Sequence, residues 1–265
     1  MATAILPSIP NASLLVILSS ILILLTAPST ANDSNVLVTG DVLATDGQLS
    51  YLGYSFVMQG DCNLVLYNKG NGFQSNTHGE GVNCTLALSD RGQFIIKSAD
   101  GSTVWTTPPG PKKGNYAAIL RPDSNVVIYG PTVWSTPDFR FAATGAYSSE
   151  AMNIPMVKNV LFSSQILYNN STLATRDYTF IMKYDCNLAL IKAAQGVIWD
   201  SGTQGKGQHC FLRLDHRGQL AVVDDRYKIV WASKPISSEG AYALIVQING
   251  QAVVYGPVVW STSSS

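Results

Sequence analysis

The sequence predicts an all-β protein of two tandem domains, each assembled from three short repeats. Three observations carry that prediction. The chain of 265 residues matches itself at an offset of 126, which pairs Cys84 with Cys210, Trp105 with Trp231, Trp134 with Trp260, and YGPTVWST with YGPVVWST. Inside each half a period of 30 to 32 residues sets one nine-residue pattern starting at Gln59, Ser89 and Arg121, and again at Lys183, Asp215 and Gln247. Short runs of Val, Ile, Leu and Tyr alternate with Gly, Asn, Asp and Ser, and no convincing amphipathic helical period interrupts them.

Taken in order, the chain opens with SLLVILSSILILL (13–25), an apolar run followed by small residues ending Ser29-Thr30-Ala31. This predicts a secretory signal over 1–31, cleaved after Ala31. The segment before the run has no Lys or Arg, so a membrane anchor is the rival reading, although the run is short against the roughly 20 residues of a bilayer span. The mature product is then expected to be secreted or vacuolar, without membrane insertion. The first domain is expected over 32–136 and the second over 153–265. Between them, PDFRFAATGAYSSEAM (137–152) has little strand pattern and is expected to be a linker open to proteolysis.

Repeats end in an aromatic-plus-turn segment such as TVWTT, TVWST, VIWDS, IVWAS and VVWST. All five tryptophans (Trp105, Trp134, Trp199, Trp231 and Trp260) occupy that place, and Phe73 fills the sixth. One large ring per repeat is best explained as a core wedge on a pseudo-threefold axis; sugar stacking is the functional alternative.

Composition narrows the function. At 46% hydrophobic and 13% charged residues the chain supports real cores, and Lys+Arg equals Asp+Glu at 17 each, so the electrostatic footprint of a nucleic-acid binder is missing. The four cysteines pair most simply as Cys62–Cys84 and Cys186–Cys210, each loop contributing about 3 kcal/mol in the chain-entropy model. Zinc is the alternative, but no CxxC spacing exists and His78 and His209 have no clear ligand partners, so neither metal nor cofactor is expected. Only His78, His209 and His216 are present, none in a nucleophile arrangement, and Asp224-Asp225 reads as a solvated turn. A non-enzyme is expected. Sequons stand at Asn32, Asn83, Asn169 and Asn170, so glycosylation is expected at some of them.

The informative motif is MQGDCNLVLY (58–67). Read as one extended strand, it points Gln59, Asp61, Asn63, Val65 and Tyr67 to one side and Cys62, Leu64 and Leu66 to the other. The first set is a row of hydrogen-bonding groups around one apolar patch, which suits a pyranose: fixed hydroxyls need groups that accept, donate, or do both.

Gln59-x-Asp61-x-Asn63-x-Val65-x-Tyr67 matches in full the QxDxNxVxY signature of the monocot mannose-binding, snowdrop-agglutinin-like lectins, and the chain resembles the two-domain branch of that family over 35–136 and 153–265. The resemblance implies two β-prism II domains, each of three four-stranded antiparallel sheets. It implies that Asp61 and Asn63 hold the axial O2 of mannose, that Gln59 reaches O3 and Tyr67 bonds O4, and that Val65 packs on the C3–C4 edge. A second row keeps Asp123, Asn125, Val127 and Tyr129 with Arg121 in place of the glutamine, and is expected to bind weakly or turn toward acidic sugars. Lys183, Asp185 and Asn187 are followed by Ala189 and Ile191; Gln247, Val253 and Tyr255 flank Asn249 and Gln251; both middle rows are stripped. The implied partners are mannose-containing glycans or glycoproteins, with the first domain dominant. The alternative is a storage or defence protein recognising complex glycans. Exchange of the final strand is implied too, within a homo-oligomer or a domain pair, with YGPTVWST and YGPVVWST as interface strands.

Overall fold

The computed structural model describes residues 35–70, 72–137, 159–234 and 237–263; the expected leader and nearly all of the expected linker lie outside them. In the first half the strands are β1 (Val36–Val38), β2 (Val42–Leu43), β3 (Gln48–Tyr51), β4 (Tyr54–Met58), β5 (Leu64–Tyr67), β6 (Thr85–Leu88), β7 (Phe94–Lys97), β8 (Thr103–Thr106), β9 (Ala117–Leu120), β10 (Val126–Tyr129) and β11 (Thr132–Ser135). The second half repeats them as β12 (Val160–Phe162), β13 (Ile166–Leu167), β14 (Thr172–Ala174), β15 (Tyr178–Met182), β16 (Leu188–Lys192), β17 (Gly196–Asp200), β18 (Phe211–Leu214), β19 (Leu220–Val223), β20 (Ile229–Ala232), β21 (Ala243–Val246), β22 (Ala252–Tyr255) and β23 (Val258–Ser261).

Among the described residues all pairings are antiparallel and form six sheets: β2-β6-β7-β8, β13-β18-β19-β20, β14-β15-β16-β17, β1-β9-β10-β23, β12-β21-β22-β11, and the three-stranded β3-β4-β5. In the last, the fourth strand is reduced to a bridge between Val65 and Gln74. The ladder nevertheless continues on both sides of it, through Leu66 N–H to Phe73 O (2.8 Å) and Ser75 N–H to Leu64 O (2.9 Å).

Two sheets cross the duplication. Strand β11 of the first half pairs with β22 of the second, and β23 pairs with β10 of the first, each through a register shift. The exchange sits on the YGP segments: Gly130 and Gly256 have φ of 143° and 146°, and a Cβ on either would stand 2.5 or 2.4 Å from the ring of Tyr116 or Tyr242. Both tyrosines are fully buried, so glycine is the residue that lets the chain turn there.

Each prism closes on an aromatic triad that includes an exchanged ring. Phe73 lies 6.0 Å from Trp105 and 5.6 Å from Trp260 in the first half. In the second, Trp134, Trp199 and Trp231 are mutually edge-on at 5.9 to 6.0 Å. These half-buried rings pack on the cores as the one-per-repeat spacing predicts, each pair adding about 1 kcal/mol beyond area burial. Two residues after each ring, a hydroxyl accepts the N–H that starts a repeat's strand: Ser75 from Leu64, Thr107 from Phe94, Thr136 from Ala252, Ser201 from Leu188, Ser233 from Leu220 and Thr262 from Val126. The disulfides are Cys62–Cys84 and Cys186–Cys210, with partners 22 and 24 residues apart.

Candidate functional site

The row beginning at Gln59 is not one strand. Residues Gln59 to Asn63 form the turn between β4 and β5, with Gln59 N–H bonded to Asn63 O (3.0 Å), Cys62 N–H to Gln59 O (3.0 Å), and Cys62 left-handed at φ 71°. This is a three-residue hairpin loop whose last residue supplies the positive φ. The same turn position is left-handed in every repeat, occupied by Gly92, Ser124, Cys186, Gly218 and Gly250 in the others. Only Asn63, Val65 and Tyr67 therefore follow strand alternation, and the turn brings Gln59 and Asp61 alongside them.

The side chains converge as follows. Gln59 Nε2 donates to the Tyr67 hydroxyl at 2.7 Å, joining the two ends of the row. Asp61 divides its carboxylate: Oδ1 accepts Asn63 N–H (2.9 Å) and fixes the turn, while Oδ2 lies 2.7 Å from Nδ1 of His78. Those bonds, the His78 bond first, hold the Asp61 carboxyl below its ordinary value. Asn63 is 8% exposed, its Oδ1 accepting from Ser75 Oγ (3.1 Å) and Thr77 N–H (3.3 Å), while the Thr77 hydroxyl donates to Cys62 O (2.7 Å). Tyr67 is 51% exposed and Val65 half-buried, so the open side of the row runs from the phenol to the Asp61 carboxylate.

Sequence reasoning missed His78, Ser75 and Thr77. The last two were legible, since Ser201 and Thr203 repeat them at the same offset and hold Asn187 in the same way. His78 has no such signal: Gln204 stands at its equivalent position.

The second row is brought together but closed. Arg121 Nη2 lies 2.9 Å from Asp123 Oδ2, Arg121 Nη1 donates to the Tyr129 hydroxyl (3.4 Å), and the guanidinium stands 5.4 Å from the Phe162 ring centroid. Asn125 Oδ1 accepts from Thr262 of the exchanged segment. Val127 and Tyr129 are 3% and 1% exposed, packed at the junction of the two halves with Val36, Ile119, Ile245, Val253 and Tyr255. Burial pushes the Tyr129 phenol up. In the Lys183 row the ammonium takes Asp185 Oδ2 at 3.3 Å, and in the middle rows Gln93 and Gln219 turn their amides onto backbone carbonyls.

Among the described residues no cluster of His, Cys, Asp or Glu is arranged to hold a metal ion. Paired three-sheet prisms that present a shallow amide, carboxylate and phenol row define a non-catalytic, sugar-binding class of protein, the lectins. A scan against models of protein families returns no match. Mannose-specific lectin 3 of Crocus vernus is 57% identical over 236 residues, which span 88% of this chain and 100% of that protein. Mannose-specific lectin 2 of Colocasia esculenta is 45% identical over 252 residues, 95% of this chain and 94% of that one. Among solved structures, a fetuin-binding two-domain lectin, the Scilla campanulata agglutinin, superposes with a TM-score of 0.76 at 27% identity, over 86% of this chain and 99% of that one. The chain belongs to the monocot mannose-specific lectin family, in its two-domain, β-prism II form.

Proposed function

We propose that the protein binds mannose-type glycans mainly through Gln59, Asp61, Asn63, Val65 and Tyr67, with the second domain weak or altered. The observation that carries this reading is that all five side chains converge on one row whose phenol and carboxylate ends stay open to solvent. Asp61 Oδ2, free of the turn, is the acceptor for the axial O2 hydroxyl, and Asn63 is pre-oriented beside it by Ser75 and Thr77. Gln59 and Tyr67 already share a hydrogen bond, so O3 and O4 meet a fixed pair rather than two loose side chains. His78 must yield or share Asp61 when sugar arrives. One such shallow row gives affinity near millimolar, about −4 kcal/mol, and useful avidity comes from several rows meeting a branched glycan.

The test is a mannan column loaded with the Asp61→Asn, Tyr67→Phe double variant. Loss of retention with little change in melting temperature is expected; retention equal to the parent sinks the site. The leader read in 1–31 supports a secreted or vacuolar product, which N-terminal sequencing of the mature chain checks. A second reading, a storage or defence protein for complex glycans, is favoured by the fetuin-binding Scilla lectin. A glycan array separates them: binding confined to sialylated or galactosylated structures and indifferent to mannose supports the second.

A further inference from the structure

The two halves share one turn and dress it differently. In the first, Ala44-Thr45-Asp46-Gly47 joins β2 to β3; in the second, Tyr168-Asn169-Asn170-Ser171 joins β13 to β14, and Thr172 opens β14 where Gln48 opens β3. The backbone is the same. Gly47 N–H bonds Ala44 O (2.8 Å) and Ser171 N–H bonds Tyr168 O (3.0 Å), and the third residue is left-handed, Asp46 at φ 61° and Asn170 at φ 58°. Asn and Asp are among the few non-glycine residues that accept this conformation. All five side chains differ, and the second set reads Tyr-Asn-Asn-Ser-Thr.

Three Asn-x-Ser/Thr acceptors lie among the described residues, and their surroundings rank them. Asn83 precedes Cys84, fully buried in its disulfide, so a glycan there competes with closing the bridge. Asn169 is half-buried, and the residue two before it, Leu167, is 6% exposed. Asn170 is exposed, its side-chain amide has no hydrogen-bond partner among the described residues, and Tyr168, two before it, is 61% exposed without a ring contact. Bonds from Asn170 N–H to Met182 O and from Met182 N–H to Ser171 O (3.2 Å) pin this turn beside Lys183. In the first half a Cβ on Gly60 would stand 3.4 Å from Asp46 Oδ1; the equivalents of that pair are Tyr184 and Asn170.

We propose that Asn170 carries an N-linked glycan whose first N-acetylglucosamine rests on the Tyr168 ring, and that this glycan stands over the Lys183 end of the second domain's row. Asn170 Nδ2 attacks the anomeric carbon of a polyprenyl-diphosphate-linked oligosaccharide. The C1–Nδ2 bond forms, the C1–O bond to the diphosphate breaks, the lipid diphosphate leaves with the electron pair, and the amide nitrogen gives up one proton. The apolar face of the sugar ring then covers an exposed aromatic face that has no other partner. The first half has Asp46-Gly47-Gln48 at the matching place and no acceptor, so the Gln59 row stays uncovered. The proposal rests on the secretory reading of 1–31.

The experiment expresses the full chain with its leader in plant cells and maps the mature product by peptide mass spectrometry before and after a peptide N-glycosidase, which converts a glycosylated Asn to Asp. Conversion at Asn170 is expected. Ser171→Ala deletes the Asn169 acceptor and keeps that of Asn170, so the glycan should remain; Thr172→Ala does the reverse and should lower occupancy tenfold or more. Nitration of Tyr168, with Tyr227 (81% exposed) as internal standard, should be several-fold slower in the parent than in Thr172→Ala. Mannan retention should be the same in both variants, since neither touches the Gln59 row. A chain that has lost 1–31 yet is unmodified at Asn170 overturns the site and leaves the secretory reading intact, whereas an unmodified chain that keeps its leader overturns both. Occupancy in Thr172→Ala equal to the parent moves the glycan to Asn169 and overturns the assignment, and equal nitration of Tyr168 overturns its seat on the ring.

Discussion

The Gln59 and Arg121 rows share Asp, Asn, Val and Tyr at four of five positions, yet one faces solvent and the other faces the opposite half of the chain. Tyr67 is 51% exposed where Tyr129 is 1% exposed. In both, one carboxylate oxygen serves the turn. The other meets His78, itself 79% exposed, in the first row, and the wedged guanidinium of Arg121 in the second. The comparison teaches that the motif specifies a hairpin first and an open row second. Whether a pocket results depends on what stands opposite the sheet.

The largest expected effect breaks the independence of the two halves. Trp260 and Thr262 come from the second half but complete the first prism. Trp260→Ala should therefore cost on the order of 3 kcal/mol, read as a lower denaturation midpoint. Deleting residues 258–265 should abolish mannan binding although every residue of the Gln59 row remains; full binding by that truncation would show that the exchanged strand is dispensable. Next, Asp61→Asn should weaken mannan binding by tenfold or more, while Asp123→Asn leaves it within twofold, because Asp123 is ion-paired with Arg121 in a row whose valine and phenol are buried. Equal losses measured by isothermal calorimetry would erase the distinction between the rows.

A third variant tries to convert the closed row into an open one. Arg121→Gln with Phe162→Val removes the plug at a cost of about 1–3 kcal/mol, and a second class of mannoside sites should then appear in the calorimetric stoichiometry. Unchanged stoichiometry would mean that Val127 and Tyr129 are covered by more than those two side chains.

The smallest effect concerns pH. The Asp61 carboxyl is held below its ordinary value, so it stays ionised as pH falls through about 4, where an unperturbed aspartate takes its proton. Any stability it contributes is likewise present above that ordinary value and lost as pH falls through the folded one. Mannan retention should therefore persist to about pH 4 and fade below it. His78→Ala removes the leading cause of the depression, so the acid edge of retention should move upward; an edge that stays in place would remove His78 from the site.

Much of this was legible because it is local. The aromatic ring followed two residues later by Ser or Thr marks the hydroxyl that anchors each next strand, and an Asp, Asn or Ser of each turn has its acceptor oxygen on the N–H of the residue that closes the loop. The straight-strand reading of Gln59 to Tyr67 failed because it treated Gly60-Asp61-Cys62 as extended, although the turn needs a left-handed residue and a cysteine fills that place as glycine does elsewhere.

By itself the sequence determined the duplicated threefold repeat, the aromatic wedges, the disulfide partners and the residues of the Gln59 row, because each depends on spacing and side-chain chemistry within a repeat. Only the tertiary structure decided which prism receives which final strand. YGPTVWST and YGPVVWST differ at one residue, Thr132 against Val258, so their own chemistry barely distinguishes insertion at home from insertion across the junction. That crossing brings the two outer faces together, buries Tyr129, and is carried by contacts between residues more than a hundred positions apart.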